Sequence, residues 1–356
     1  MRGTESPVGA GTKPVPVLTA EAGAGLDGFR LPGGLVDVHC HLGLGAEGAV
    51  DRTRTLAQAR AARSAGVLLV RDCGAPTDTH WLTDDAAQAE RVAAGAAPGE
   101  LLPGVLRAGR HLARPRRYLR GFAEELENPS LLPEAVARQA RAGDGWVKLV
   151  GDWIDRSAGA DADIVPLWPA EVLRDAVAAA HENGARVTVH TFAHATLAPL
   201  LEAGVDCLEH ATGAGPEEIA QIAAQGVAVT PTLLQVDHFP GFAAQAGARY
   251  PRYAATVTAL HAGHEVQVAA MHEAGVRLLP GSDAGGSLPH DTLPRELLAW
   301  RRVGLADAEI LRLATTSARE FLGVPLGEGE PMVLYDADPA TDLAQLLQPR
   351  AIVSAA

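Results

Sequence analysis

The sequence predicts an α/β protein, a (β/α)8 TIM barrel with a small β-sandwich domain, reduced on its N-terminal side, formed by the N- and C-terminal segments. Three observations carry that expectation. A helix–Gly–strand pattern recurs along the chain, eight short apolar runs count as strands, and four of those runs end in His41, His190, His210 and Asp283. Barrel enzymes build their sites from residues at the carboxyl ends of the strands.

The pattern appears as Ser64-Ala65-Gly66-Val67, Glu182-Asn183-Gly184-Ala185, Glu202-Ala203-Gly204-Val205, Ala224-Gln225-Gly226-Val227 and Glu273-Ala274-Gly275-Val276. A glycine just past a helix takes the left-handed conformation that stops it, and a β-branched run then opens the next strand. The strands so predicted are Leu35–His41, Val67–Asp72, Leu101–Leu106, Trp146–Val150, Arg186–His190, Cys207–His210, Val227–Pro231 and Leu278–Asp283. Helices alternating with short buried strands imply parallel βαβ units. The clearest helix is Pro169–Asn183, with proline at its start and an apolar face of Val172, Leu173, Ala176, Val177 and Ala180. An open doubly wound sheet is the alternative, but no glycine-rich phosphate loop follows the first strand. Residues 34–323 are assigned to the barrel, 13–33 and 324–356 to the small β-domain, and 1–12 to a disordered N-terminus.

The net charge of −13 argues against nucleic acid or an anionic membrane as the main partner. The first residues lack the apolar run of a secretory signal, and no segment has the ~18 apolar residues of a membrane span. Three scattered cysteines, Cys40, Cys73 and Cys207, read as buried thiols, and a cytoplasmic location is expected. A homo-oligomer is left open.

The chemistry lies in Asp37-Val38-His39-Cys40-His41 and the later strand ends. Alternation along a strand points both histidines into the barrel and Cys40 away. His190, His210 and Asp283 end three further strands. Imidazole nitrogens and a carboxylate around an open coordination position are what a catalytic zinc requires. Lys148 adds to this set, being one of two lysines against 28 arginines. A neutral amine can add carbon dioxide, and the resulting carbamate could bridge two metals; the alternative is a buried lysine paired with a carboxylate. Glu209 is expected to orient its neighbours through hydrogen bonds.

On these residues the chain resembles the amidohydrolase superfamily. Leu31-Pro32-Gly33-Gly34-Leu35-Val36-Asp37-Val38-His39-Cys40-His41 is similar to its opening motif, and His190, His210 and Pro280-Gly281-Ser282-Asp283 are similar to its later ones. Ala314–Gly323 resembles the helix that closes the barrel, and Val333–Pro339 the returning strand of the small domain. The likeness spans roughly residues 30–345 and is nearest the imidazolonepropionase-like and prolidase-like branch. It implies a metal-dependent hydrolase with two Zn2+ per chain: His39, His41 and Asp283 on one, His190 and His210 on the other, carboxylated Lys148 between them.

Two departures stand out. The stretch before the first barrel strand is short, and Arg110–Arg120 replaces the Gly/His-rich loop of that branch.

The expected reaction is hydrolysis of a C–N bond in a small amide, dipeptide, N-acyl amino acid or cyclic amide, with Asp283 as general base. A mononuclear deaminase is the alternative, but His190-Thr191-Phe192-Ala193-His194 lacks the glutamate that such enzymes place after that histidine. An inactive structural relative would not keep every ligand position. Arg116 and Arg117, in a run of arginines after the third strand, are expected to clamp a substrate carboxylate, and His194 to hydrogen-bond substrate. The other histidines, His80, His111, His181, His238, His261, His264, His272 and His290, are expected on the surface or in packing roles.

Overall fold

Eight parallel strands organise the chain, in a computed structural model that describes residues 15–354 apart from Pro98 and Arg120. The segment expected to be disordered, 1–12, lies outside the described residues. The strands are β1 Leu35–Cys40, β2 Val67–Asp72, β3 Gly104–Arg107, β4 Trp146–Val150, β5 Arg186–Thr191, β6 Cys207–His210, β7 Ala228–Thr230 and β8 Arg277–Leu278. β1, β2 and β3 form one parallel ladder, and β4 to β8 form another in sequence order. Every residue of β1, β2 and β4 is buried, as expected for strands covered on both faces.

Backbone hydrogen bonds cross both seams between the ladders. After β8 the chain runs beside β1: Val38 N–H donates to Pro280 O (3.1 Å), Asp283 N–H to His39 O (2.7 Å) and His41 N–H to Ala284 O (2.7 Å). After β3 the chain reaches Leu112–Ala113, where Leu112 pairs with Leu149 of β4. The architecture is TIM-barrel-like.

Proline explains the two largest departures from the expected strand boundaries. β3 begins at Gly104, not Leu101, because Pro103 has no N–H for the ladder. β8 ends at Leu278, not Asp283, because Pro280 interrupts the same pattern. The helix expected at Pro169–Asn183 spans Ala170–Glu182, with Pro169 and Asn183 as its caps, and buries Leu173, Ala176, Val177 and Ala180. Gly204 and Gly226, at φ 82° and 70°, end the helices His194–Ala203 and Pro216–Gln225 as the repeated pattern predicted.

The two ends of the chain meet in one four-stranded sheet, in the order Val17–Leu18, Ala351–Val353, Met332–Tyr335, Phe29–Pro32. A sandwich needs a second facing layer, and among the described residues the short segment before β1 contributes only two strands to the single sheet. At the amino-terminal end of the barrel strands, the guanidinium carbons of Arg71 and Arg186 lie 4.3 and 4.1 Å from the centre of the Trp146 ring, beside Phe321. That plug leaves the opposite, carboxyl end for chemistry.

Candidate metal centre

Four strand ends bring five side chains together at the carboxyl face. His39 comes from β1 and His41 follows it, His190 lies in β5, His210 ends β6, and Asp283 follows β8. One Asp283 oxygen, Oδ1, lies 3.1 Å from His39 Nε2 and 3.4 Å from His41 Nε2. His210 Nε2 is 3.1 Å from His190 Nδ1. The ring centres of His39 and His210 are 5.3 Å apart, so the two pairs face each other across one small space.

The supports of these groups are as informative as the groups themselves. Gly74 O is 3.0 Å from His41 Nδ1, and Thr232 Oγ1 is 2.7 Å from His210 Nδ1. Each contact fixes one ring nitrogen and turns the other inward, the arrangement in which metal-binding histidines are held. Asp37, two residues before His39, accepts from Ser282 Oγ (2.5 Å), Ser282 N–H (3.0 Å) and His39 N–H (3.1 Å), which ties β1 to the Asp283 segment. Asp152 accepts from Phe192 and Ala193 N–H and from Thr191 Oγ1, bracing the chain beyond His190.

Backbone strain concentrates here. His210 (φ 65°), Thr232 (φ 51°) and Asp283 (φ 50°) occupy the left-handed region without being glycine. Such conformations cost on the order of 1–3 kcal/mol each and persist where the surroundings enforce them, most often at functional sites.

Burial pushes His39, His190 and His210 well below the usual imidazole range, so they are neutral and keep their lone pairs. Burial alone would raise the Asp283 carboxyl, but the adjacent His39 and His41 imidazoles outweigh it and hold the group well below the carboxylate range. Asp283 is therefore an anion. Both nitrogens of His39, and Nε2 of His41 and of His190, are buried and make no hydrogen bond. Buried polar atoms without partners are rare and need an explanation. A divalent cation supplies one, since neutral imidazoles and a carboxylate are the donor set that such ions take, and His39, His41 and Asp283 offer atoms within 4.8 Å of one another.

Lys148 lies in β4, fully buried, and its ammonium donates to Glu209 Oε2. This is the lysine–carboxylate pairing held open as the alternative to a carbamate. Burial, opposed by Cys73 and Asp283, lowers its pKa to about 8. Glu209 also accepts from Thr188 Oγ1 at 2.7 Å and lies 3.5 Å from His39 Nε2, so it does orient its neighbours.

The expected substrate residues lie elsewhere. Arg116 is turned outward by a left-handed turn (φ 59°), and its N–H donates to Glu125. Arg117 is paired with Asp155 at 2.7 Å. Both border a separate cavity with Arg114, Asp155 and Pro166, away from the histidines. His194 is exposed at a helix start, with Nδ1 3.2 Å from Gly213 O, and it does not line the metal cavity. Instead, the cavity of about 450 Å³ over His41, His190, His210 and Asp283 is walled by Leu44, Tyr118, Leu119, Trp153, Phe192 and Phe242.

Sequence reasoning missed several neighbours. Of the two roles expected for His111, packing is the one observed: it is buried with neither nitrogen partnered, 6.1 Å ring to ring from His41. His290 is buried with Nε2 at 3.1 Å from His41 O. Tyr118 stacks edge-on to Trp153 at 4.8 Å. The adjacent aromatic Tyr118 and the arginine run shared one loop, and charge drew attention from the ring.

A metal-ready, histidine-rich mouth on a TIM-barrel-like scaffold defines a class, the metal-dependent hydrolases. The profile of the Amidohydrolase family matches residues 31–338, and the chain belongs to that family of enzymes, which hydrolyse carbon–nitrogen bonds. Uncharacterised proteins of Mycobacterium tuberculosis and Mycobacterium bovis are 48% identical to it over 313 residues, 86% of this chain and 80% of theirs. Among solved structures, it is similar to a Xaa-Pro dipeptidase with methionine in its active site (TM-score 0.72, 18% identity, 90% of this chain and 84% of that one). It is also similar to a prolidase complexed with N-methylphosphonate-L-proline (0.71, 20%, 91% and 85%) and to Aspergillus niger ochratoxinase (0.68, 20%, 91% and 80%). At these identities the likeness is one of fold.

Proposed function

We propose that this chain is a two-zinc amide hydrolase cleaving the C–N bond of a small amide, dipeptide, N-acyl amino acid or cyclic amide. His39, His41 and Asp283 would hold one ion, His190 and His210 the other, and a carboxylated Lys148 would bridge them. The observation that carries the reading is the set of buried, unpartnered imidazole nitrogens gathered around one carboxylate at the floor of a cavity. The buried Lys148 amine, lowered to about 8, has the neutral fraction that carbamate formation requires.

When bound, the ions supply Lewis acidity and water that ionises near neutral pH. The protein's own residues do the rest. Asp283 takes the proton of the attacking water and returns it to the departing nitrogen. Its anionic state leaves it able to accept that proton, and its place beside His39 and His41 keeps it at the centre where the proton is returned. Gly74 O and Thr232 hold the imidazoles in register. Tyr118, Trp153, Phe192 and Phe242 give apolar groups flanking the scissile bond a surface from which water is displaced.

The test is a screen of N-acyl amino acids, dipeptides and small cyclic amides with zinc-loaded protein. Release of amine from at least one class supports the reading; ammonia from a ring amine, with no amide cleaved, would favour the one-metal deaminase.

A further inference from the structure

One buried thiol lies where the proposed ligands, all nitrogen and oxygen donors, leave a gap. His39, Cys73 and Glu209 each offer an atom within 4.8 Å of the others, and all three residues are buried. A zinc ion holds nitrogen at about 2.0–2.1 Å and sulfur at about 2.3 Å. Donor atoms this close need to move by only a fraction of their separation to share one ion. Resting on the hydrolase reading above, we propose that Cys73 is a metal ligand, its sulfur completing the centre on the side of His39 and Glu209, so that the donor set is nitrogen, oxygen and sulfur together.

Three further observations support a thiolate at this place. His39 is fully buried with both ring nitrogens free of hydrogen bonds, and its Nε2, 3.1 Å from Asp283 Oδ1, also lies 3.5 Å from Glu209 Oε2, so it faces both sides of the centre. The Cys73 thiol itself has a weak tie, a contact of 3.6 Å to Val38 O, which an ion would readily replace. Below it the Arg71 guanidinium is fully buried, with Nη2 3.9 Å from Glu209 Oε1 and Nη1 without a partner. A buried charge without a counter-charge is costly, and a thiolate two residues along the same strand edge as Arg71 supplies one.

The other two thiols face different partners. Cys40 Sγ reaches Arg71 O at 3.9 Å, and Cys207 Sγ lies 3.5 Å from Arg71 Nη2 and 3.9 Å from Thr230 Oγ1. Neither belongs to a ligand group with His39. Coordination would release the Cys73 proton to solvent as the ion enters. A sulfur donor would also bias the site toward zinc and away from magnesium or manganese, which prefer oxygen.

The test reads the ligand directly. In zinc-loaded wild-type protein, X-ray absorption at the zinc edge should show a sulfur scatterer at about 2.3 Å. In cobalt-substituted protein, a thiolate-to-cobalt charge-transfer band should appear, persist in Cys40→Ala and Cys207→Ala, and vanish in Cys73→Ala while the visible cobalt bands remain. Zinc affinity of Cys73→Ala should fall at least about tenfold. Stoichiometric zinc or cobalt with only nitrogen and oxygen neighbours would overturn the Cys73 assignment and leave the hydrolase reading standing. Failure to retain either ion at all would overturn both.

Discussion

At the scale of single residues, the proposed chemistry turns on Asp283 and Lys148. Asp283→Asn should keep the fold and most of the metal, because the amide oxygen can still face the His39 pair, but it cannot accept a proton. Turnover should drop by ~10²–10⁴-fold, the range of general-base contributions; steady-state rates within a few-fold of wild type would move the proton transfer to another group. Lys148 separates its two readings more sharply. As a carbamate bridge, Lys148→Ala should lose metal and activity together, and formate or acetate should restore part of both. Lys148→Arg should fail without rescue, since guanidinium stays charged. If Lys148 only pairs with Glu209, arginine is the milder change and added acid restores nothing. The histidines gathered at this mouth were legible because they lie at the ends of strands recognisable from their apolar runs. Thr232 and Gly74, which hold His210 and His41, were not. Their contacts depend on loop backbone, at Thr232 in a left-handed conformation, and no local pattern of residue types encodes that.

At the scale of elements, the strands and the glycine-stopped helices follow from periodicity and turn chemistry, whereas the loops on the active face do not. The loop after β3 shows why. Its arginines suggested a carboxylate clamp, yet Arg117 is neutralised by Asp155 and it is Tyr118 and Leu119 that reach the cavity. Replacing both Arg116 and Arg117 with alanine should therefore leave kcat/KM within a few-fold for acid and amide substrates alike; a selective loss on acids would restore the clamp. A second element-scale prediction concerns Glu296, whose carboxylate accepts from Leu233 N–H, Leu234 N–H and Trp300 Nε1–H and so anchors the chain after β7. Burial, opposed by those bonds, raises its pKa from 4.5 to about 7. The folded state keeps this proton over a range where the unfolded state has lost it, so the group's contribution to stability declines as pH rises from about 4.5 to about 7. In Glu296→Gln that decline should disappear, and urea midpoints should change less between pH 5 and pH 8 than in wild type. An identical pH profile in both proteins would contradict it.

At the scale of the whole molecule, a TIM-barrel-like scaffold plugged by Trp146 and its arginines at one end presents a single histidine-rich mouth at the other. Among the described residues, no helix is long and apolar enough to cross a membrane. The barrel was legible from eight strand-like runs, but the small domain was not fully so, because its partners are at opposite ends of the chain and pair only in the folded protein. Family membership establishes the class of reaction, and the central claim beyond it is that the mouth is a metal centre with room for two ions. The most direct test is the metal content of the purified protein, by elemental analysis after dialysis against metal-free buffer. A bridged two-metal site should hold about two zinc equivalents per chain. Retention of one ion would contradict the bridged centre, and retention of none would contradict the metal-dependent mechanism altogether.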